Sequence, residues 1–276
     1  STMRYNFVTA NQAVSPEIMF SVRYLQPNIT NSMDLYYGAW ATCQVTRSLV
    51  DEFECTDGQK WGVSPLTVAV DNTLINSSDE TKGVKQERLK LFQNRDPRMA
   101  QTLCGSNYIT FPEGVIRDGQ GGSLTHFNAL KLIQPTTSEI GYSTVSDEDV
   151  VILRYAEILL DIAEAENELN GPTQTVYDAV NAIRLRSMMP ALPTGLTKDQ
   201  MREKIRHEWR VEFAFEGQRY FQLKRWRLME TVFNGAVDPA VPGYKKVFKT
   251  AFYNWPIPLS EIDKANGALT QDPNYK

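Results

Sequence analysis

The sequence predicts a mainly α-helical chain with small β-hairpins and long loops, organised as a tetratricopeptide-type helical hairpin beside an irregular face. Three observations predict it. From Ser146 onward, apolar residues recur at helical spacing behind hydroxyl-and-acid start signals. Before Ser146, Gly, Pro, Asn, Ser and Thr divide the chain into short alternating segments with poor helical periodicity. The length, 276 residues at 42% hydrophobic, is enough to bury a substantial core. The expected organisation is one integrated domain in two segments. Residues 1–145 are rich in loops and hairpins, and 146–276 form a helical core.

Taken in order, Glu17 to Tyr24 alternates, with Ile18, Phe20, Val22 and Tyr24 on one side and Glu17, Met19, Ser21 and Arg23 on the other. That is the pattern of a half-buried strand. The stretch that follows, Pro27 to Trp40, is loop-like and aromatic, and Gly119 to Ser123 marks a further turn. Ser146 and Asp149 have capping-box spacing, which predicts a helix from Ser146 to Leu169, stopped by Gly171 and Pro172. Ile152, Tyr155, Ala156, Leu159, Ala163 and Ala165 or Leu169 would line much of one face, the alanines permitting close approach of a neighbour. Thr175 with Asp178 opens a second helix striped by Val176, Ala179, Val180 and Ile183, which Pro190 stops. So short a turn makes the two helices antiparallel, a hairpin that must stack on another unit to bury its faces.

Thr197 with Gln200 opens a third helix, with Met201, Ile205, Trp209 and Phe213 on one stripe and a bend at Gly217. Glu208, Glu212 and Glu216 follow one another at i,i+4, a repulsive series unless cations lie close by. Arg154, Arg184 and Arg186 of the hairpin can supply them, so this cluster reads as structural rather than catalytic.

Composition narrows the function. Lys+Arg number 29 against 33 Asp+Glu, a net charge of −4, with no dense basic run, which argues against nucleic acid as a partner. No apolar stretch approaches the roughly 18 residues of a spanning helix. The first residues show no basic, apolar and small-residue succession of a signal peptide. Cys43, Cys55 and Cys104 have neither CxxC nor metal-ligand spacing and read as thiols, a Cys43–Cys55 disulfide being the alternative. His126 and His207 are the only histidines, and Val211 stands where an HExxH pair needs its second histidine. No phosphate loop, dinucleotide fingerprint or nucleophile elbow occurs, so no metal and no cofactor is expected.

The run from Ile152 to Trp226, with RYAE in its first helix, EGQR at the Gly217 bend and a terminal Arg225-Trp226 pair, is preceded by DPRM (Asp96 to Met99) and followed by WPIP within Asn254 to Tyr275. In that order these motifs resemble the C-terminal half of the SusD/RagB family, nutrient-binding lipoproteins of the Bacteroidetes outer membrane. The resemblance covers Arg95 to Tyr275 closely and Ser1 to Asn94 more loosely, through EIMFSVRY. It implies a SusD-like fold and an exported, cell-surface location. It also implies a lipid anchor and N-terminal tetratricopeptide-like repeats outside this sequence, and a SusC-like TonB-dependent transporter as partner. Gln222 stands where many relatives have an acid, and Trp209 where an arginine is usual.

Recognition is expected in the irregular half, where Asp34, Tyr36, Tyr37, Trp40, Asp51, Glu52, Glu54, Asp57 and Trp61 crowd together in sequence. A sugar ring has an apolar face that Trp or Tyr covers and a rim of hydroxyls that carboxylates and amides bond. About 40 Å² covered contributes roughly 1 kcal/mol per ring, so several rings are needed, since millimolar binding takes about −4 kcal/mol. The family resemblance implies sugar-stacking aromatics in the region Tyr24 to Trp61. The expected ligand-binding residues are Trp40, Tyr36 and Tyr37, then Tyr24, Asp34 and Trp61, with Trp226 and Trp255 in the core. Non-catalytic capture of an oligosaccharide is the function this implies. The alternatives are peptide capture, as in RagB-like relatives, a scaffold role, and glycoside hydrolysis by a pair among Asp51, Glu52, Glu54 and Asp57 held roughly 5 to 9.5 Å apart.

Overall fold

The computed structural model describes residues 3–39, 42–79, 82–105, 109–111, 114–116, 123–134 and 145–275. Contacts divide the chain into two units, Ser1–Arg219 with Asp238–Val241, and Tyr220–Val237 with Pro242–Lys276. In chain order the first unit contains a 3₁₀ turn (Met3–Phe7), α1 (Thr9–Gln12), β1 (Ile18–Val22), a π turn (Asp34–Ala39), α2 (Arg47–Val50), α3 (Asn72–Ile75), α4 (Val84–Lys90) and α5 (Pro97–Thr102). The short strands β2 (Leu103–Gly105), β3 (Ile109–Phe111), β4 (Gly114–Ile116), β5 (Phe127–Ala129) and β6 (Val150–Arg154) follow, then the long helices α6 (Tyr155–Asn170), α7 (Gln174–Arg186) and α8 (Lys198–Glu212). The strands pair as two-stranded antiparallel ribbons, β1 with β6, β2 with β5 and β3 with β4. The fold is mainly helical with few, short strands.

β1 is the predicted strand, with Val22 opposite Val150 and Ile18 opposite Arg154. Its predicted buried face is absent, for Phe20 is 59% exposed and Val22 is exposed as well. Register shifts on both sides of Phe20 break the period of two on which that expectation rested.

The helix predicted from Ser146 begins at Tyr155 instead. Val150, Val151 and Ile152 are β-branched and extend as β6, while Ser146 pairs with Asn31 in an isolated bridge. Ile152 is therefore on a strand. Tyr155 and Leu169 face outward, and the buried side of α6 is Ala156, Leu160, Ala163 and Asn167. Asn167 donates to the Lys198 carbonyl at 3.1 Å, fixing the end of α6 to the start of α8. Gly171, at φ 82°, ends α6 as expected.

α7 starts at Gln174 behind Thr173, two residues before the predicted cap Thr175, and buries Val176, Ala179, Val180 and Ile183 as its stripe predicts. It stops at Arg186, short of Pro190, whose carbonyl accepts from Arg184 Nε at 2.9 Å. α8 has the predicted capping box: Thr197 Oγ1 accepts from Gln200 N at 3.2 Å, and Gln200 Oε1 from Thr197 N at 2.8 Å. Met201, Ile205, Trp209 and Phe213 are all buried.

The irregular half has a core of its own, in which Val45, Val50, Phe53, Ile75, Leu91, Met99, Leu103 and Phe127 pack with Val211 of α8. Loop backbone buried beside such a core needs donors for its carbonyls, and arginines provide them. Arg95 Nη2 and Nε donate to Phe53 O at 2.8 and 3.2 Å and its Nη1 to Leu91 O at 3.0 Å; Arg88 donates to Ile75 O at 3.0 Å and Ser77 O at 2.6 Å.

In the second unit, the end of α9 (Gln218–Arg225), α10 (Met229–Phe233) and the chain about Phe248 and Tyr253 share a small core of Leu223, Met229 and Phe248, against which Trp226 packs. Trp255 does not join it. The closing motif is held by backbone instead, Gln271 bridging both polar groups of Ile257 at 2.7 and 3.0 Å, before and after α11 (Leu259–Lys264). The core role expected for Trp255 is thereby corrected, since its ring is 78% exposed.

Candidate functional site: a ligand-binding face

The aromatic stretch after β1 is shaped by the π turn Asp34–Ala39, in which Tyr36 N donates to Ser32 O at 2.9 Å and Tyr36 O receives Thr42 N at 3.0 Å and Thr42 Oγ1 at 2.7 Å. The turn sends neighbouring tyrosines to different places. Tyr36 lies at the surface, 47% exposed. Tyr37 packs against Cys104, Leu130 and Ile133. Burial pushes the Tyr37 hydroxyl up to about 12, aided by the adjacent Cys43 thiol to which it bonds. Asp34 is buried and accepts the Gln134 N–H at 2.8 Å. Trp40 lies outside the described residues.

Tyr24 is half-buried just past β1, and its N–H donates to Asp149 Oδ1 at 3.1 Å. Asp149, expected to cap a helix, also accepts from Arg23 Nη1 at 2.7 Å and Ser21 Oγ at 3.3 Å, so it fastens the strand end that carries Tyr24. Trp61 is partly buried on the loop core, with the Arg95 guanidinium 4.2 Å above its ring. Tyr36 is thus exposed and Tyr24 half-buried, Asp34 is buried, and Tyr37 and Trp61 are partly buried against two separate apolar clusters.

The acids near Trp61 are each engaged. Asp51 pairs with Arg47 at 2.7 Å. Glu52 takes His207 Nδ1 at 2.8 Å and Arg210 Nη1 at 2.5 Å. Burial alone would raise the Glu52 carboxyl, but the His207 bond and the Arg210 charge overcome it and hold it at about 2. Glu54 is buried between Arg184 at 2.9 Å and Lys204 at 2.8 Å, and against the cost of its burial these cations and His207 hold it low. Asp57 accepts from Ser64 Oγ at 2.7 Å and Gln59 N at 3.0 Å in a local turn. Glu52, Glu54 and Asp57 are all held low, whereas the acid of a glycosidase pair must be raised.

The glutamate series of α8 is neutralised as its spacing requires. Glu212 accepts from Arg186 at 2.5 Å, Arg154 at 2.6 Å and Arg98 at 3.0 Å, Glu208 from Arg98 and from Arg184 at 3.2 Å, and Glu216 from Arg154 at 2.7 Å and from Lys131. Arg98 and Lys131, from the irregular half, were not foreseen, because nothing local in sequence marks a partner so distant. Glu148 was also missed. It sits among three acids that the sequence presents as the start of a helix.

The sequence profile of the SusD family matches residues 14–275. The chain belongs to the SusD family. SusD-like protein P2 of Formosa agariphila is 31% identical over 138 residues, which are 47% of this chain and 26% of that protein. The crystal structure of a SusD-like protein from Bacteroides fragilis superposes with a TM-score of 0.75 at 27% identity, covering 99% of this chain and 57% of that one. A SusD-like carbohydrate-binding protein from the same species gives 0.73 at 24%, covering 95% and 56%. This SusD-family chain therefore spans little more than half the length of those solved relatives. Its two departures from the expected motif are accommodated locally. Gln222 accepts from Arg225 Nη2 at 2.5 Å where an acid would pair, and Trp209 stacks on Phe213 with centroids 4.7 Å apart.

Proposed function

We propose that this SusD-family chain captures an oligosaccharide without cleaving it, on the loop face from Tyr24 to Trp61, as the surface-exposed receptor of a lipid-anchored outer-membrane lipoprotein. Tyr36, Trp40 and Tyr24 would meet the ligand, with Asp34, Tyr37 and Trp61 supporting them. The glycan would pass to a SusC-like TonB-dependent transporter. The observation that carries the reading is the division of labour in the π turn, which anchors Tyr37 in the core and leaves the Tyr36 ring at the surface of a family whose solved members include a carbohydrate-binding protein. Engagement of Glu52 and Glu54 by fixed cations supports binding rather than hydrolysis.

The test is affinity electrophoresis of the chain, of Tyr36→Ala and of Trp40→Ala on a panel of soluble plant, host and microbial glycans, with reducing-sugar release followed in parallel. Retardation by at least one glycan, weakened about fivefold per ring removed and without sugar release, is expected. Release of reducing sugar would overturn the reading, and so would failure of every glycan to retard the chain. Retention on peptides instead would assign the face to peptide capture.

A further inference from the structure

Glu148 departs from the rule that the other buried glutamates obey. It is 1% exposed, yet neither Oε1 nor Oε2 has a hydrogen-bond partner among the described residues. Glu54, Glu208 and Glu212, equally buried, each rest on two or more cations. A carboxylate without donors in such surroundings is costly, and the group avoids the cost by holding its proton. Burial, and then the negative charges of Asp34 and Asp147, push the Glu148 carboxyl up from 4.5 to about 8.

Its position gives that proton a consequence. The strip 146–148 is laced to Asn31 and Asp34, the residues that lead into the π turn. Asn31 and Ser146 exchange backbone bonds at 2.8 and 3.0 Å, Asp34 N donates to Ser146 Oγ at 3.2 Å, and Asn31 Nδ2 donates to the Glu148 carbonyl at 2.9 Å. Glu148 also lines a cavity of about 220 Å³ with Phe7, Met33, Tyr37, Leu132 and Phe215. The other titratable groups facing this cavity offer no positive charge. They are the Tyr37 hydroxyl, Asp149, which is paired with Arg23, and Glu216, which is paired with Arg154 and Lys131.

We infer that the turn bearing Tyr36 and Tyr37 is clasped to the strip 146–148 in a proton-dependent way, with Glu148 as a positioning residue that must be neutral for the clasp to close. Opening at higher pH releases one proton from Glu148 to solvent and lets the charged carboxylate reach water. Because the closed form binds this proton more tightly than the open form, closure is most stable at low pH. It weakens as pH rises from about 4.5 through about 8. The effect on ligand capture rests on the function proposed above, whereas the clasp itself does not.

The experiment is amide hydrogen exchange, corrected for the intrinsic rate, on peptides covering 31–39 and 145–150 at pH 6 and pH 8.5, with α7 peptides as internal reference. In the wild-type chain the opening equilibrium of both segments should increase at least tenfold between the two pH values while α7 stays protected. Glu148→Gln should abolish that dependence. Asp34→Asn, which removes the facing charge, should reduce it and gives a second route if the first variant folds poorly. Equal protection at both pH values, or the same pH response in the variants as in the wild type, would overturn the inference. Glycan retardation at the same two pH values separates it from the binding reading: absence of binding at either pH leaves the exchange result to decide the clasp by itself.

Discussion

Arg184 Nη2 donates to Glu54 Oε2 at 2.9 Å across a separation of 130 residues, with both side chains almost wholly out of water. The contact joins the loop core to α7, and the same Arg184 reaches Glu208 of α8 at 3.2 Å. One guanidinium therefore fixes the irregular segment to two helices at once. Removing its partner leaves Arg184 buried with half its charge unanswered.

Glu54→Ala is accordingly expected to destabilise the first unit by about 3–5 kcal/mol, the cost of breaking a buried pair by one member. Glu168→Ala, which removes a solvent-exposed partner of Arg202, should cost under about 1 kcal/mol. Urea denaturation of the two variants beside the wild type measures both. Similar midpoints for the two would refute the distinction.

That contrast shows what was legible in the sequence. Glutamates at 208, 212 and 216 fall at i,i+4, so their need for arginines could be read locally, and Arg154, Arg184 and Arg186 are where they are needed. Arg98 and Lys131 reach the same glutamates from loops, over separations that no periodicity encodes. β6 was hidden for a different reason: Ser146 and Asp149 match a capping box, which outweighed the β-branching of Val150 to Ile152 because their partner strand β1 lies more than a hundred residues away. The core of the loop half could not be read from the sequence, because its apolar residues, such as Val45, Phe53 and Leu91, follow no period. They meet only through the arginine-supported turns.

Glu52 contributes to the pH dependence of stability on the acid side, beside Glu54 and Glu212, which are also held low. The Glu52 carboxyl sits at about 2 when folded against 4.5 ordinarily, so the unfolded chain binds protons more readily. The stabilisation is complete above about pH 4.5 and is lost as pH falls toward 2. It amounts to something on the order of 3 kcal/mol. Thermal unfolding of wild type and Glu52→Gln between pH 6 and pH 2.5 should converge as the pH drops. A gap that stays constant would exclude a contribution from Glu52.

Trp255 and Trp209 should behave oppositely. The Trp255 ring is exposed, with Lys224 Nζ 5.5 Å from its centroid, whereas Trp209 is buried on Phe213. Trp255→Ala should change stability by no more than ~0.5 kcal/mol, and Trp209→Ala should cost about 3–5 kcal/mol. Acrylamide quenching supplies an independent check, because Trp255 should carry most of the readily quenched fluorescence lost between wild type and variant.

Adjacent tyrosines give the sharpest test of the proposed face. Tyr37 packs on Cys104, Leu130 and Ile133, so Tyr37→Ala removes core and should lower the unfolding free energy by about 2–4 kcal/mol. Tyr36 is half exposed on the outer side of the same turn, and Tyr36→Ala should leave the unfolding midpoint within about a degree. If the face binds glycan, the order reverses for affinity at a temperature where both variants are folded. Tyr36→Ala then loses about fivefold, the contribution of one stacked ring. Tyr37→Phe, which keeps the packing and drops only the hydroxyl bonded to Cys43, retains wild-type binding. Equal loss of affinity in Tyr36→Ala and Tyr37→Phe would mean that the ligand reads the inner side of the turn, and the proposed contact residues would have to be redrawn around the cavity that Tyr37 lines.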